Sequence, residues 1–205
     1  MHRPVRVKIC GITNLDDALA AVEAGAAALG FNFAAHSPRR IAVEVAAEII
    51  ARLPESICTV GVFVNQDREA VASLAAWVPL TALQFHGDEP PSFCQSWPQK
   101  VIKAIRVRDR TAATTAHAYS VDFILADAYV EGQFGGTGIR IAPGLLDAFE
   151  RSRLILAGGL TPETVAEAVR VIRPAGVDVA SGVERSPGKK DWDLMRRFIS
   201  HAHAA

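Results

Sequence analysis

Half of the 205 residues are apolar, enough to bury a sizeable core, and the length suits one domain. Twenty-two basic residues cancel twenty-two acidic ones, and the short, interrupted basic runs at 38–40 (PRR) and 106–110 (RVRDR) exclude an electrostatic footprint for nucleic acid. No apolar run reaches the ~20 residues of a membrane span. No secretory stretch leads the chain, and Cys10, Cys58 and Cys94 form neither a C-x-x-C pair nor a disulfide framework. The expectation is a cytoplasmic protein with no membrane partner, no metal and no cofactor.

In chain order, the first apolar run, 5–10 (VRVKIC), predicts a strand and is followed by helical spacing over 14–26, with Asn14 as cap and Asp16 and Asp17 in the first turn. A strand at 28–33 (ALGFNF) precedes a helix over 42–53, and a strand at 57–64 (ICTVGVFV) a helix over 67–78. Strands at 82–87 (ALQFHG), 100–107 (KVIKAIRV) and 123–128 (FILADA) come next, but the helical patterns at 110–120 and 142–149 are weak. The strand at 154–159 (LILAGG) leads to a helix over 161–172, with Thr161 as cap and Pro162 at its first position, and the strand at 176–181 (GVDVAS) to a last helix over 189–202. Alternation of this kind requires a parallel sheet, because each crossover returns the chain to the same end. Eight units fit a closed barrel better than an open sheet. The predicted fold is therefore α/β, a single-domain (β/α)8 TIM barrel over residues 1–205.

In such a barrel, chemistry belongs where strands end and the following loops begin. Cys10 closes strand 1, with Gly11 behind it to clear space, His86 closes strand 4, and Asp127 lies in strand 6. A thiolate at Cys10 serves as base or nucleophile if nearby positive charge lowers its pKa. Asp127, an acid in an apolar strand, is either half of an ion pair or a poised general acid. Lys8 shares the inward parity of Cys10, and an internal partner such as Asp178 is preferred to a catalytic role. Cys58 and Cys94 read as small buried hydrophobes. Gly158-Gly159 and Ser181-Gly182 follow strands 7 and 8, where glycine lets backbone amides approach an anion, so a phosphorylated small molecule is the expected ligand. The FGGTG run at 134–138 reads either as a loop closing over the site or as an ordinary solvated loop.

The strings VKICGIT, GFNFAAHSPR, VGVFVN, LQFHGDE, GGTG, LAGGLTPETV and VDVASGVERSPGKKD together resemble, in order and spacing, the phosphoribosylanthranilate isomerase family of tryptophan biosynthesis, from about residue 5 to residue 198. The resemblance implies an Amadori rearrangement of N-(5-phosphoribosyl)anthranilate to 1-(2-carboxyphenylamino)-1-deoxyribulose 5-phosphate, without cofactor or metal. It implies Cys10 as the general base at ribose C2 and Asp127 as the general acid at the furanose ring oxygen. Arg39 aligns with the arginine that holds the anthranilate carboxylate; Arg40 is one residue away, and the S-P-R spacing favours Arg39. Gly158, Gly159, Ser181 and Gly182 map onto the phosphate loops, and His86 is a binding residue at the rim. After GGTG the family usually continues with an FDW-like stretch, whereas this chain reads IRIAPG, which leaves the sixth helix open.

Three other readings remain at this stage: an isomerase that also accepts the related histidine-pathway intermediate, a non-catalytic barrel binding phosphorylated ligands, and a thiol redox protein, the last without a resolving cysteine. No long apolar stripe is left over for an interface, so a monomer is favoured over a homodimer.

Overall fold

Each apolar run expected to be a strand is one, and the strands close on themselves. The computed structural model describes residues 4–127 and 143–205. Its strands are β1 (Arg6–Cys10), β2 (Ala28–Asn32), β3 (Cys58–Phe63), β4 (Ala82–Phe85), β5 (Lys100–Arg106), β6 (Phe123–Asp127), β7 (Leu154–Ala157) and β8 (Gly176–Val179). Each pairs in parallel with the next, and β8 pairs with β1, so the expected (β/α)8 barrel is the observed architecture. The register sets Lys8 opposite Asp178 and Cys10 opposite Gly30.

The crossovers carry α1 (Leu15–Glu23), α2 (Val43–Ile50), α3 (Arg68–Trp77), α4 (Thr111–His117), α5 (Val165–Ile172) and α6 (Trp192–His203). Their starts follow the sequence logic: Asn14 Oδ1 accepts the Asp17 amide at 2.9 Å, and Asp67 Oδ1 accepts that of Ala70 at 2.8 Å. Helix α5 begins at Val165, after a turn in which the Thr161 carbonyl accepts the Thr164 and Val165 amides, rather than directly behind Thr161.

Between β4 and β5 the eighth-unit pattern fails, for no helix forms there. Pro90, Pro91 and Pro98 deny this segment amide donors, and its carbonyls find a side chain instead. Arg68 of α3 donates to Phe93 O at 2.9 Å and to Gln95 O and Ser96 O at 3.0 and 2.9 Å. Its guanidinium also lies 4.1 Å from the centre of the Trp97 ring. The helix expected over 142–149 is replaced, in its described part, by a 3-10 turn at Pro143–Leu145; the FGGTG run lies outside the described residues. A two-stranded antiparallel hairpin, β9 (Glu184–Ser186) and β10 (Lys189–Lys190), stands between β8 and α6, an addition the strand count did not contain.

Two apolar clusters hold this frame. One fills the space between strands and helices, where Ile9, Leu29, Phe31, Phe63, Leu83 and Phe198 are buried, each contributing about 1.5–3 kcal/mol over exposure. The other, Val60, Ala82, Ile102, Ala104, Leu125, Ile155 and Ala157, plugs the barrel interior, so the barrel is a core and not a pore. Among the described residues no helix is long and apolar enough to cross a membrane.

Candidate active site

Because the strands are parallel, Cys10, His86, Asp127, Gly158-Gly159 and Ser181-Gly182 all lie at one end of the barrel, at or just beyond the carboxyl ends of β1, β4, β6, β7 and β8. Cys10 is buried, and the room for its thiol comes from an unexpected place. A Cβ on Gly30, its partner in β2, would lie 2.8 Å from Cys10 Sγ and 3.0 Å from Lys8 Nζ. Gly11, expected to clear that space, instead makes way for Arg39, whose Cδ would be 2.6 Å from a Cβ there. The correction is physical: neighbours across a parallel sheet are set by register, and the residue next in sequence points to the opposite face.

Below the thiol, Lys8 donates to Asp178 Oδ1 at 2.8 Å, the preferred internal partnership. Burial alone would lower the Lys8 pKa, but the charges of Asp178 and then Cys10 outweigh it and hold the ammonium above its ordinary value. Cys10 goes the other way from the lowered pKa a resting thiolate requires. Burial pushes its thiol above 9.0, and the opposing charges of Lys8 and Lys190 do not reverse that. The resting group is a thiol beside two ammonium ions that favour its anion.

Arg39 and not Arg40 turns toward this site. Its Nε donates to Glu184 Oε1 at 2.8 Å and its Nη2 to Glu184 Oε2 at 2.7 Å, a fork that leaves the Nη1 side for another acceptor. Arg40 is exposed. Although burial opposes it, hydrogen bonding from Arg39 and the charge of Lys190 keep the Glu184 carboxyl below the usual range. Lys190, fully buried, donates to Glu184 Oε1 at 2.9 Å, Cys10 O at 2.6 Å and Ala180 O at 3.2 Å. Burial nevertheless draws its ammonium below the ordinary lysine value.

Across the mouth, His86 Nε2 lies 3.3 Å from Asp127 Oδ2 and His86 Nδ1 2.8 Å from Gln84 Nε2. An amide nitrogen only donates, so Gln84 Nε2 donates to His86 Nδ1, and the neutral imidazole with that acceptor turns its Nε2 proton toward Asp127. Both side chains are about a quarter exposed, 27% for His86 and 25% for Asp127. The loop bearing His86 is fixed from beneath, where the buried Lys103 donates to Glu89 Oε2 at 2.8 Å and to Gly87 O at 2.6 Å. Glu89 also accepts the Asn65 amide at 2.8 Å and that of Gly87 at 3.0 Å.

The glycine loops meet each other. A Cβ on Gly182 would lie 1.9 Å from Leu160 O, so only glycine allows the β8 loop to rest on the β7 loop. Gly159 has φ +69 with no atom within 4 Å of an added Cβ, a left-handed residue facing open space. Ser181 opens a 3-10 turn, Ser181–Val183, in place of a long helix.

Size does not choose this end. A hollow of about 320 Å³ lies beside His86, Lys103, Arg106 and Tyr119, but a larger one of about 390 Å³ opens at the opposite end, among Arg6, Cys58, Lys100 and Phe123. Cys58 there accepts a hydrogen bond from Thr81 Oγ1, and Cys94 is a buried thiol that burial pushes up to about 11. Cys94 matches the reading of a small buried hydrophobe, whereas Cys58 is only partly buried and faces the hollow. Among the described residues no group of three or more His, Cys, Asp or Glu side chains is placed to hold a metal. Sequence reading missed Glu184, Lys190, Gln84 and Glu89. The signal available for the first two was charge flanking Gly188, in a stretch whose register to β1 is invisible before folding.

Comparison with known proteins points the same way. The family model for N-(5'-phosphoribosyl)anthranilate isomerase matches residues 7–201. The N-(5'-phosphoribosyl)anthranilate isomerase of Geobacter sulfurreducens is 50% identical over 199 residues, covering 97% of this chain and 98% of its own. The phosphoribosylanthranilate isomerase of Thermotoga maritima superposes with a TM-score of 0.90 at 44% identity, over 98% of this chain and 100% of that one. A second structure of that enzyme, at TM-score 0.86, is of monomers generated from its dimeric form. An isomerase structure holding reduced 1-(o-carboxyphenylamino)-1-deoxyribulose 5-phosphate superposes at 0.87 with 42% identity, again over 98% and 100%.

Proposed function

The chain belongs to the N-(5'-phosphoribosyl)anthranilate isomerase family, and from that premise we propose which of its residues carry the isomerisation. It is an isomerase of tryptophan biosynthesis that converts the aminoaldose N-(5-phosphoribosyl)anthranilate into the corresponding 1-amino-1-deoxyketose phosphate. Asp127 delivers a proton to the furanose ring oxygen as the C1–O bond breaks, leaving a protonated imine between C1 and the anthranilate nitrogen. Cys10, as thiolate, removes the C2 proton, and the released electron pair forms the C1=C2 bond of an enolamine. Protonation at C1 and loss of the C2 hydroxyl proton give the ketone, so hydrogen moves formally from C2 to C1 and no external oxidant takes part.

The observation that supports this reading is the pairing of a buried thiol, seated in the space Gly30 leaves and flanked by Lys8, with a carboxyl at the same end of the barrel on β6. Arg39 receives the anthranilate carboxylate on its Nη1 side. The loops at Gly158-Gly159 and Ser181-Gly182 receive the phosphate, and His86 touches the sugar beside Asp127. Residues 1–205 act as one barrel domain in the cytoplasm, and the monomer is the working unit. Light scattering at assay concentration checks the last point, and a stable dimer like that of the Thermotoga relative would overturn it.

The deciding experiment follows loss of substrate fluorescence with freshly generated N-(5-phosphoribosyl)anthranilate. Cys10→Ser is expected to lower kcat about 10³-fold with KM nearly unchanged, the scale of a lost general base. Retention of full turnover by that variant would remove Cys10 from the chemistry.

A further inference from the structure

The proposed base and the proposed carboxylate-binding arginine come from separate strands and loops, yet one buried ion pair ties them together. Lys190 spends all three of its hydrogens inside the protein, on Cys10 O, Ala180 O and Glu184 Oε1. Glu184 accepts from Lys190, from the Gly188 amide at 3.2 Å and from two nitrogens of Arg39. Its side chain is 4% exposed and that of Lys190 0%. The hairpin β9–β10 carrying the pair is itself fastened to the segment after β1, where Thr13 Oγ1 donates to Gly188 O. The Arg39 stem lies against Gly11, the residue following Cys10. A single hub therefore touches the strand end that bears the thiol, the guanidinium, and the carbonyl preceding Ser181 in the phosphate loop.

An ion pair this deep is an expensive way to gain stability, since apolar side chains of similar volume serve as well. What charge supplies here and an apolar pair would not is direction. A carboxylate fixes the plane of a guanidinium through two parallel hydrogen bonds and so aims its remaining donors. The ammonium, with its proton donors pointed at two strand-end carbonyls, sets where β1 and β8 end relative to that plane.

We propose that Glu184 and Lys190 are positioning residues of the isomerisation: Glu184 aims the free edge of Arg39 at the carboxylate of the aromatic ring, and Lys190 holds Cys10 at a set distance from it. This rests on the reading of Arg39 as the carboxylate site. Among the described residues, the charged groups around Cys10 are Lys8 on β1, Asp178 on β8, Arg39 after β2, and Glu184 and Lys190 on the hairpin. The last two link its backbone to Arg39 by hydrogen bonds.

The test uses the full chain and two probes, reduced 1-(o-carboxyphenylamino)-1-deoxyribulose 5-phosphate and its phenylamino counterpart without the ring carboxyl, titrated by calorimetry. Glu184→Gln is expected to weaken the first about 10-fold and the second by less than about 2-fold, the scale of a charge-assisted hydrogen bond lost from one ligand only. Because Glu184→Gln leaves the Lys190 charge buried alone, the double variant Glu184→Gln/Lys190→Met, which removes both charges, is measured beside it. The double variant is expected to keep the same discrimination between probes and to lose about 100-fold in kcat, through displacement of the base. Equal weakening of both probes, or of neither, overturns the proposal. Arg39→Ala separates the two levels. If it too fails to distinguish the probes, the carboxylate reading of Arg39 falls and the proposal with it. If Arg39→Ala distinguishes them and Glu184→Gln does not, only the positioning role is lost.

Discussion

The two sides of the barrel mouth solve opposite problems. On the β1 side, Cys10 is enclosed by two buried ion pairs, Lys8–Asp178 and Lys190–Glu184, whose side chains are at most 9% exposed. On the β4–β6 side, Asp127 and His86 each keep about a quarter of their surface, and their contact is a long 3.3 Å. A carbon-bound proton must be taken by a group that is not competing with water for it, which suits an enclosed base held at fixed distance. An acid that gives up its proton at each turnover has to recover one, which suits a group within reach of solvent. Under the proposed roles, the contrast assigns geometry to the dry side and proton exchange to the wet side.

The sharpest attack on this division is Asp127→Asn, which keeps shape and polarity but removes the transferable proton. We expect kcat to fall about 10²–10³-fold with KM changed little, because the interaction is made mainly in the transition state. A matching rise in KM with kcat intact would make Asp127 a binding residue and the two sides less different than proposed.

A smaller effect tests the dry side. Gly30→Ala puts a methyl 2.8 Å from Cys10 Sγ and 3.0 Å from Lys8 Nζ, and overpacking of this kind costs about 1–3 kcal/mol of stability. Activity should drop roughly 10-fold even where the protein stays folded, since small misplacements of a reacting group are felt strongly. Wild-type kcat in a folded Gly30→Ala, checked by circular dichroism, would show that the thiol tolerates displacement.

Gly30 also marks the limit of what the amino-acid sequence discloses. The strands, their order and the residues at their ends were legible because apolar runs and turn residues are local signals, and Cys10, His86 and the glycine pairs were found that way. The space beside the thiol was assigned to Gly11 because adjacency in sequence was the only neighbour relation available, whereas Gly30 reaches Cys10 through strand register. Glu184 and Lys190 were hidden for the same reason, Glu184 being 145 residues from Arg39 and Lys190 180 residues from Cys10. The crossover after β4 is the opposite case: Pro90, Pro91 and Pro98 stand in plain view, and no helical spacing is read between β4 and β5.

The state of the thiol gives a pH test of the enclosed side. Its pKa is raised by burial, so the folded protein holds the proton more tightly than the unfolded chain does. That contribution to stability is fully present below the ordinary thiol value and is lost as pH rises through the folded one. Alkylation of Cys10 by iodoacetamide, followed by mass spectrometry in the ligand-free protein, should show a midpoint above 9.0. A midpoint below that would mean Lys8 and Lys190 outweigh burial, and that the resting group is already the thiolate.

The smallest expected effect is at the far end of the barrel, and it asks whether chemistry or volume marks the site. Cys58 lines the larger hollow, of about 390 Å³, with Arg6 and Lys100 at its rim. Its sulfur accepts one hydrogen bond, from Thr81, whose hydroxyl also lies 3.2 Å from the carbonyl of Thr59 and so keeps an acceptor when the sulfur is removed. Cys58→Ala should therefore lower stability by no more than about 1 kcal/mol and leave kcat and KM untouched. Isomerase kinetics that moved with Cys58→Ala would show that the two ends communicate through the interior cluster of Val60, Ala82 and Ile102, and the separation between a catalytic end and a structural end would have to be given up.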